Sequence, residues 1–342
     1  MTDLWIVKYR PSRLEDIVGN EESVSTLQRL AVSRNIPHLL FYGPVNSGKA
    51  TAAFALAYEL YGEGFERNFT YFNASDFFDQ GKSYLVRDKR FTRILGTDDP
   101  RKIQKSVISI FKEIINEYAS MAPIDADYKI IFIDSSQALD SNAQHALRRI
   151  MEKYTATCRF ILATTQPSRL IAPLRSRGLN LFFRHVSDEK LGSFIKKIAE
   201  IEGIVITEEG IQALLYYSRG NIATSLNTLQ VAVLLAHGEP IGIEVIYDAV
   251  MREEIGDIRL LFEAAMAGNI AQARKVIDHM LIDNGFAGYE VLERLHKIVV
   301  ICGEPEERIA RWTIKIADAN FKMLYAANDR IQLEALVTDF CN

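Results

Sequence analysis

The sequence predicts a parallel α/β domain followed by two all-helical regions. Three observations carry that expectation. Residues 1–185 alternate short apolar runs with amphipathic stretches, the order that builds a parallel sheet covered by helices. A glycine-containing turn, Gly43-Pro44-Val45-Asn46-Ser47-Gly48-Lys49, joins the first apolar run to the first long helix. Beyond His185 the strand pattern stops, and apolar residues recur at i, i+3 and i+4.

Taken in order, the expected strands are His38–Tyr42, Thr70–Asn73, Lys129–Ile133 and Phe160–Thr164, with a helix over Ala50–Tyr61 after the turn. Between the second and third strands lies Phe77–Arg101, punctuated by Gly81, Gly96 and Pro100. It mixes Lys82, Arg87, Lys89, Arg90, Arg93 and Arg101 with Phe77, Phe78, Tyr84 and Phe91. Basic residues among aromatics suit stacking on single-stranded or distorted nucleic acid. They suit a helical insertion packed on the domain equally well. A helix over Ser141–Lys153 carries Arg148, Arg149 and Lys153.

Asp188–Ile201, Glu208–Tyr217 and Ala223–Leu235 read as three short helices separated by Gly203 and Gly220. The turn Gly238-Glu239-Pro240 opens a last helical region that includes Ile258–Met266, Ile270–Leu281 and Gly288–Val300. The expected domains are therefore 1–185, 186–237 and 238–342.

Bulk properties bound the function. At 342 residues the chain is too long for one ordinary core. A net charge of -4 excludes a globally basic nucleic-acid binder while leaving room for a local basic face. Cys158, Cys302 and Cys341 are odd in number and far apart, which argues for a reducing compartment without a disulfide framework or a cysteine zinc site. No stretch approaches about 20 uninterrupted apolar residues, and the N-terminus has no signal-peptide pattern, so an intracellular protein without a membrane partner is expected.

The turn carries the chemistry. A Gly-rich loop between a strand and a helix wraps backbone N–H groups around a polyphosphate, with Lys49 reaching the terminal phosphates. The next position, where a Ser or Thr hydroxyl would hold Mg²⁺, is Ala50. The third strand ends in Asp134, at the ligand-facing edge of a parallel sheet and placed to hold Mg²⁺ through water. Ser135 follows it where hydrolytic enzymes of this type commonly carry Glu, and a neutral hydroxyl is a poor base. The loop is thus suited to holding ATP or ADP, with Mg²⁺ weakly held, and poorly equipped for hydrolysis.

These residues, together with several further segments, resemble replication factor C small subunits. Trp5, Lys8-Tyr9-Arg10-Pro11 and Asp16-Ile17-Val18-Gly19 look like that family's opening motif, and Pro37-His38-Leu39-Leu40 and Asn73-Ala74-Ser75-Asp76 continue the match. So do Ala143-Gln144-His145-Ala146-Leu147-Arg148-Arg149, Met151-Glu152-Lys153-Tyr154, Ser176-Arg177 and Leu226-Asn227-Thr228-Leu229-Gln230. The resemblance spans roughly residues 3–236; the later helices match only in length and pattern. It implies an AAA+ P-loop domain, an all-α lid and an all-α C-terminal collar. It also implies membership of a heteromeric ring, with large and small subunits as partners, that places a sliding clamp on primer–template DNA.

Carried over by position, the resemblance puts Val7, Arg10, Val18 and the loop residues Gly43, Pro44, Val45, Asn46, Ser47, Gly48, Lys49, Ala50 and Thr51 at the nucleotide, with Asp134. Thr165 stands where the first sensor is usually Asn, and Ala223 where the second sensor is Arg. Losing several charge stabilisers of phosphoryl transfer together removes almost all activity in cis. Arg175-Ser176-Arg177-Gly178 keeps all but the last residue of the family's Ser-Arg-Cys element, so Arg177 is expected to reach a neighbour's ATP as an arginine finger. Arg148, Arg149 and Lys153 would line the DNA channel through phosphate contacts.

The leading expectation is a nucleotide-binding scaffold that activates a neighbour in trans. The alternative is an active small-subunit ATPase in which Thr51 replaces the missing hydroxyl, although one step along a helix turns a side chain by about 100°. A stand-alone remodeller would need a complete site of its own, and a loop that never binds nucleotide would have no use for Lys49. The length of the chain favours an archaeal cytoplasmic protein over a nuclear one.

Overall fold

Residues 4–97, 99–250, 256–283, 286–302, 304–326 and 328–340 are described by the computed structural model. A five-stranded sheet is built from β1 (Leu39–Tyr42), β2 (Phe69–Asn73), β3 (Lys129–Asp134), β4 (Cys158–Thr164) and β5 (Leu179–Phe182), in the order β2-β3-β4-β1-β5. Every pairing is parallel, with Leu39 opposite Ile161 and Ile130 opposite Arg159.

The near-continuous apolar runs of β3 and β4 follow from burial on both faces. Because side chains alternate along a strand, these runs feed two separate cores. Ile131, Ile133, Phe160 and Leu162 meet Ile110, Phe111, Ile114 and Leu147 from the helices Val107–Ser120 and Ser141–Lys153. Ile130, Phe132, Ile161 and Ala163 meet Leu27, Ala52, Ala53 and Leu56 from Glu21–Ser33 and Lys49–Tyr61.

The edge strand β5 goes beyond the four expected strands. Leu179, Leu181 and Phe182 are apolar but only Leu181 is buried, and four residues are too few for a pattern to mark a strand. Pairing with β1 makes the strand.

The stretch after Asn73 is a packed insertion of short helical pieces, Ala74–Asp79, Lys82–Arg87 and Thr92–Leu95 among them. Phe77, Leu85 and Phe91 are fully buried, with Phe77 lying 5.4 Å from Phe91 and 5.6 Å from Phe111 between ring centres. Arg90 is equally structural. It pairs with Asp88, donates to the Tyr71 carbonyl at 3.1 Å and lies over the Phe91 ring. The aromatic residues that suggested base stacking are thus largely core, and the packed-insertion alternative is the one the fold realises. Arg87 and Lys89 remain exposed.

The chain divides into two compact units, Met1–Gly203 with Ser218–Asn227, and Ile204–Tyr217 with Thr228–Asn342. Within the second, Leu261, Ile277, Val291, Leu295, Trp312 and Phe340 share one core. Helices over Asp188–Glu202, Glu208–Ser218, Ile222–Ala236, Gly256–Met266 and Gly288–Ile301 follow the expected spans. The helix expected over Ile270–Leu281 is α-helical through Asp278 and widens to a π-turn over His279–Asp283. Cys341 lies outside the described residues.

Candidate nucleotide site

The loop after β1 is shaped by two glycines with different tasks. At Gly43 a Cβ would stand 1.9 Å from the Phe183 carbonyl oxygen, so no larger residue fits. Gly48, at φ 92°, has nothing within 4 Å; its demand is conformational. Gly48 leads into the helix Lys49–Tyr61, whose first N–H groups and positive end point at the loop.

Lys49 is 7 % exposed and folds back on its own loop. Its Nζ donates to the carbonyls of Gly43 at 3.0 Å and Pro44 at 2.6 Å, and to Ser47 Oγ at 3.3 Å. Burial lowers its pKa, and the charge of Asp134 works the other way. Asp134 is raised by burial, against the Ser135 N–H, which donates to its Oδ1 at 2.7 Å, and against Lys49. No ion pair joins the two among the described residues. An ammonium this buried, answered only by carbonyls and a hydroxyl, is a strong anion site.

A cavity of about 560 Å³ opens beside this loop. Of the expected residues, Val45 through Thr51, Val7, Arg10, Val18 and Asp134 line it, as do Ser135, Thr165 and Ala223. Gly43 and Pro44 are not part of the lining and act through the carbonyls that hold Lys49. Sequence reasoning missed the apolar wall: Ile6 and Ile17 on one side, Phe194, Ile222 and Leu226 on another. Ile17 lies within the opening motif and Ile6 between two of its parts, a signal that was available. The two sides are joined where Glu202 takes hydrogen bonds from Lys8 Nζ at 2.8 Å and from the Tyr9 hydroxyl.

Asn20 was also missed. Held at φ 57°, it donates from Nδ2 to the carbonyls of Ser47 (3.2 Å) and Arg184 (3.1 Å), tying the loop to the segment after β5. Apart from the Gly-Asn turn, nothing local marks it.

Asp134 is the one carboxylate in the lining, and no group of three or more His, Cys, Asp or Glu able to hold a metal is assembled among the described residues. A magnesium ion there would take Asp134 and otherwise phosphate oxygens and water, because Ala50 offers no ligand.

Arg177 follows the short helix Ala172–Arg175. Its Nη1 donates to the Pro173 carbonyl at 2.7 Å, and its Nη2 pairs with Glu152. Glu152 also takes Arg148 Nε at 3.2 Å; Arg148 first, then Arg177, holds its carboxyl below the usual range. Buried Gln144 fixes the approach to this helix, donating to the Arg169 carbonyl and accepting from the Ile171 N–H. Arg149 is exposed on the same helix as Arg148, and Lys153 lies 4.8 Å over the Tyr154 ring.

A parallel sheet, a strand–loop–helix phosphate cradle and an aspartate closing β3 define a P-loop protein of the AAA class. The family described as ATPase family associated with various cellular activities (AAA) matches residues 39–185, and the Replication factor C C-terminal domain matches 254–339. The chain is 34% identical to the replication factor C small subunit of Methanosarcina barkeri, over 99% of this chain and 96% of that protein. It is also 34% identical to that of Archaeoglobus fulgidus, over 97% and 95%. It belongs to the replication factor C small-subunit family. The Thermotoga maritima RuvB Holliday junction branch migration motor shares the fold at a TM-score of 0.53 and 17% identity, covering 76% of this chain and 80% of that one. No helix among the described residues is long and apolar enough to cross a membrane.

Proposed function

We propose that this chain is a nucleotide-binding subunit of a heteromeric clamp loader. In that role it hydrolyses ATP poorly at its own site and lends Arg177 to the site of a neighbouring subunit. The observation that carries the reading is a fully built lysine cradle whose metal and base positions hold Ala50 and Ser135. Binding is provided for; turnover is not. ATP or ADP fills the cavity with its base between the apolar walls, and Mg²⁺ is held weakly through Asp134.

The reading extends, as the resemblance to replication factor C small subunits implies, to large and small loader subunits and a sliding clamp as partners, primer–template DNA as the substrate and the cytoplasm as the site of action. What supports it is the family membership of the chain. Arg148, Arg149 and Lys153 contact DNA phosphates. The AAA+ domain occupies 1–185, the lid 186–237 and the collar 238–342. Arg177 rests on Glu152 and leaves it when a neighbour's γ-phosphate offers a stronger anion, a charge exchange that costs little at an exposed pair.

The test is DNA- and clamp-stimulated ATP hydrolysis by the reconstituted loader with Lys49→Ala or Arg177→Ala in this subunit. Arg177→Ala is expected to cut the rate about 10³-fold at the site it serves, and Lys49→Ala to leave the total rate nearly unchanged. The reverse result would mark this chain as an active small-subunit ATPase.

A further inference from the structure

One side chain of the cavity is explained neither by the loop nor by Asp134. Gln137 lies in the short 3₁₀ turn Ser136–Ala138 just after β3 and lines the cavity beside Lys49, Asp134 and Thr165. Its Oε1 accepts from Thr164 Oγ1 at 2.9 Å and from the Thr165 backbone N–H at 3.3 Å. A backbone N–H can only donate, so the amide oxygen must face the end of β4, and chemistry fixes the orientation of the group. Its Nε2 amino group is the donor left over. No acceptor among the described residues takes it.

We propose that Gln137 Nε2 donates to the terminal phosphate of a bound nucleoside triphosphate, so that this site distinguishes triphosphate from diphosphate without hydrolysing it. The proposal rests on reading the cavity as a nucleotide site. Position and chemistry both point to it. Lys49 marks the end of the cavity where the terminal phosphates lie, and Thr165 beside it presents only a short hydroxyl. A side-chain amide reaches further and offers two N–H donors. It also takes no proton near neutral pH, so it can hold a phosphate without activating water as a base would. A hydrogen bond to a charged group of this kind changes affinity by about ten- to hundred-fold. Only the triphosphate gains it.

A purely structural role for Gln137, pinning the end of β4, gives a different signature. Gln137→Glu keeps an oxygen for Thr164 and Thr165 and removes the amino group, but it adds a charge that itself repels phosphate, so an uncharged variant must show the same selectivity. Gln137→Leu removes both. Fluorescent ATPγS and ADP analogues are titrated into the full chain with Mg²⁺, with melting midpoints measured alongside. Gln137→Glu is expected to weaken the triphosphate analogue at least tenfold and ADP less than about threefold, at an unchanged midpoint. Gln137→Leu, which adds no charge, must show the same selectivity, and if it fails to fold the unbranched, uncharged Gln137→Met takes its place. Equal losses for both nucleotides, or no loss, would overturn the proposal and leave the nucleotide site standing. Wild-type protein that binds neither analogue would overturn both.

Discussion

Burial acts on two bases of the first unit, with different consequences. Lys49 keeps its charge because its loop supplies three acceptors, and an arriving phosphate strengthens that charge. His38, just before β1, is 8 % exposed and uses Nδ1 to accept the Phe160 N–H at 3.0 Å, which requires that nitrogen to be unprotonated. Burial, helped by the Arg159 charge and opposed by the Met151 carbonyl, lowers its pKa to about 4. The folded state therefore prefers neutral histidine, whereas the unfolded chain takes up a proton below about pH 6.5. The resulting stabilisation is complete above that value and is lost as the pH falls towards 4. Between pH 7.5 and 5 it should amount to about 2 kcal/mol. Urea unfolding across that range, compared with His38→Gln, checks it; parallel slopes for the two proteins would remove His38 as the cause. At this scale the phosphate loop was legible because its spacing is covalent. Gln137 and Asn20 were not, because their roles depend on strand ends and turns that only the fold brings together.

Among the elements, the insertion after Asn73 shows where composition misleads. Its helical pieces run four to six residues, too short for a 3.6-residue period to register, so the sequence displayed only a mixture of basic and aromatic residues. The fold sorts the mixture: Phe77 and Phe91 go inward, Arg90 lies exposed over their rim and is tied there by Asp88 and the Tyr71 carbonyl, and Arg87 and Lys89 stay exposed. Phe91 stacks on Phe72 at 6.2 Å and touches Phe77 and Tyr84. Phe91→Ala should cost about 3–5 kcal/mol of unfolding free energy, whereas Arg87→Gln with Lys89→Gln should change it by less than about 0.5 kcal/mol. Equilibrium urea denaturation measures both. A mild Phe91→Ala would mean the insertion is not part of the cooperative core. The same paired charge variant is the cleaner probe of DNA contact, because it spares Arg90. β5 gives the complementary lesson: a four-residue apolar run is too short to be told from a loop, and pairing with its neighbour defines it.

For the molecule as a whole, the informative feature is apolar surface that its own core does not use. The helix Glu306–Met323 buries Trp312, Ile316 and Ala319, a stripe at i, i+4 and i+7 that faces the second unit's core. A second stripe, Ile314, Phe321 and, just past the helix end, Leu324 and Tyr325, stays between 63% and 80% exposed. Phe321 and Tyr325 pack edge to face at 5.7 Å, presenting a contiguous aromatic surface. A helix needs one apolar face to fold onto its own unit. A second, with rings already packed together, fits contact with another subunit. Periodicity revealed the helices but not this division, since it counts apolar positions without saying which of them the chain itself covers. Phe321→Glu with Tyr325→Glu should leave the unfolding free energy of the isolated chain within about 0.5 kcal/mol, because both side chains are solvated there. Co-assembly with the other loader subunits should instead fall at least tenfold, since two carboxylates would have to be desolvated in an apolar contact. Size-exclusion of mixed subunits measures the second effect and urea denaturation the first. Undiminished co-assembly would place the subunit contacts elsewhere on the chain, whereas loss of both stability and assembly would show the stripe to be part of the fold.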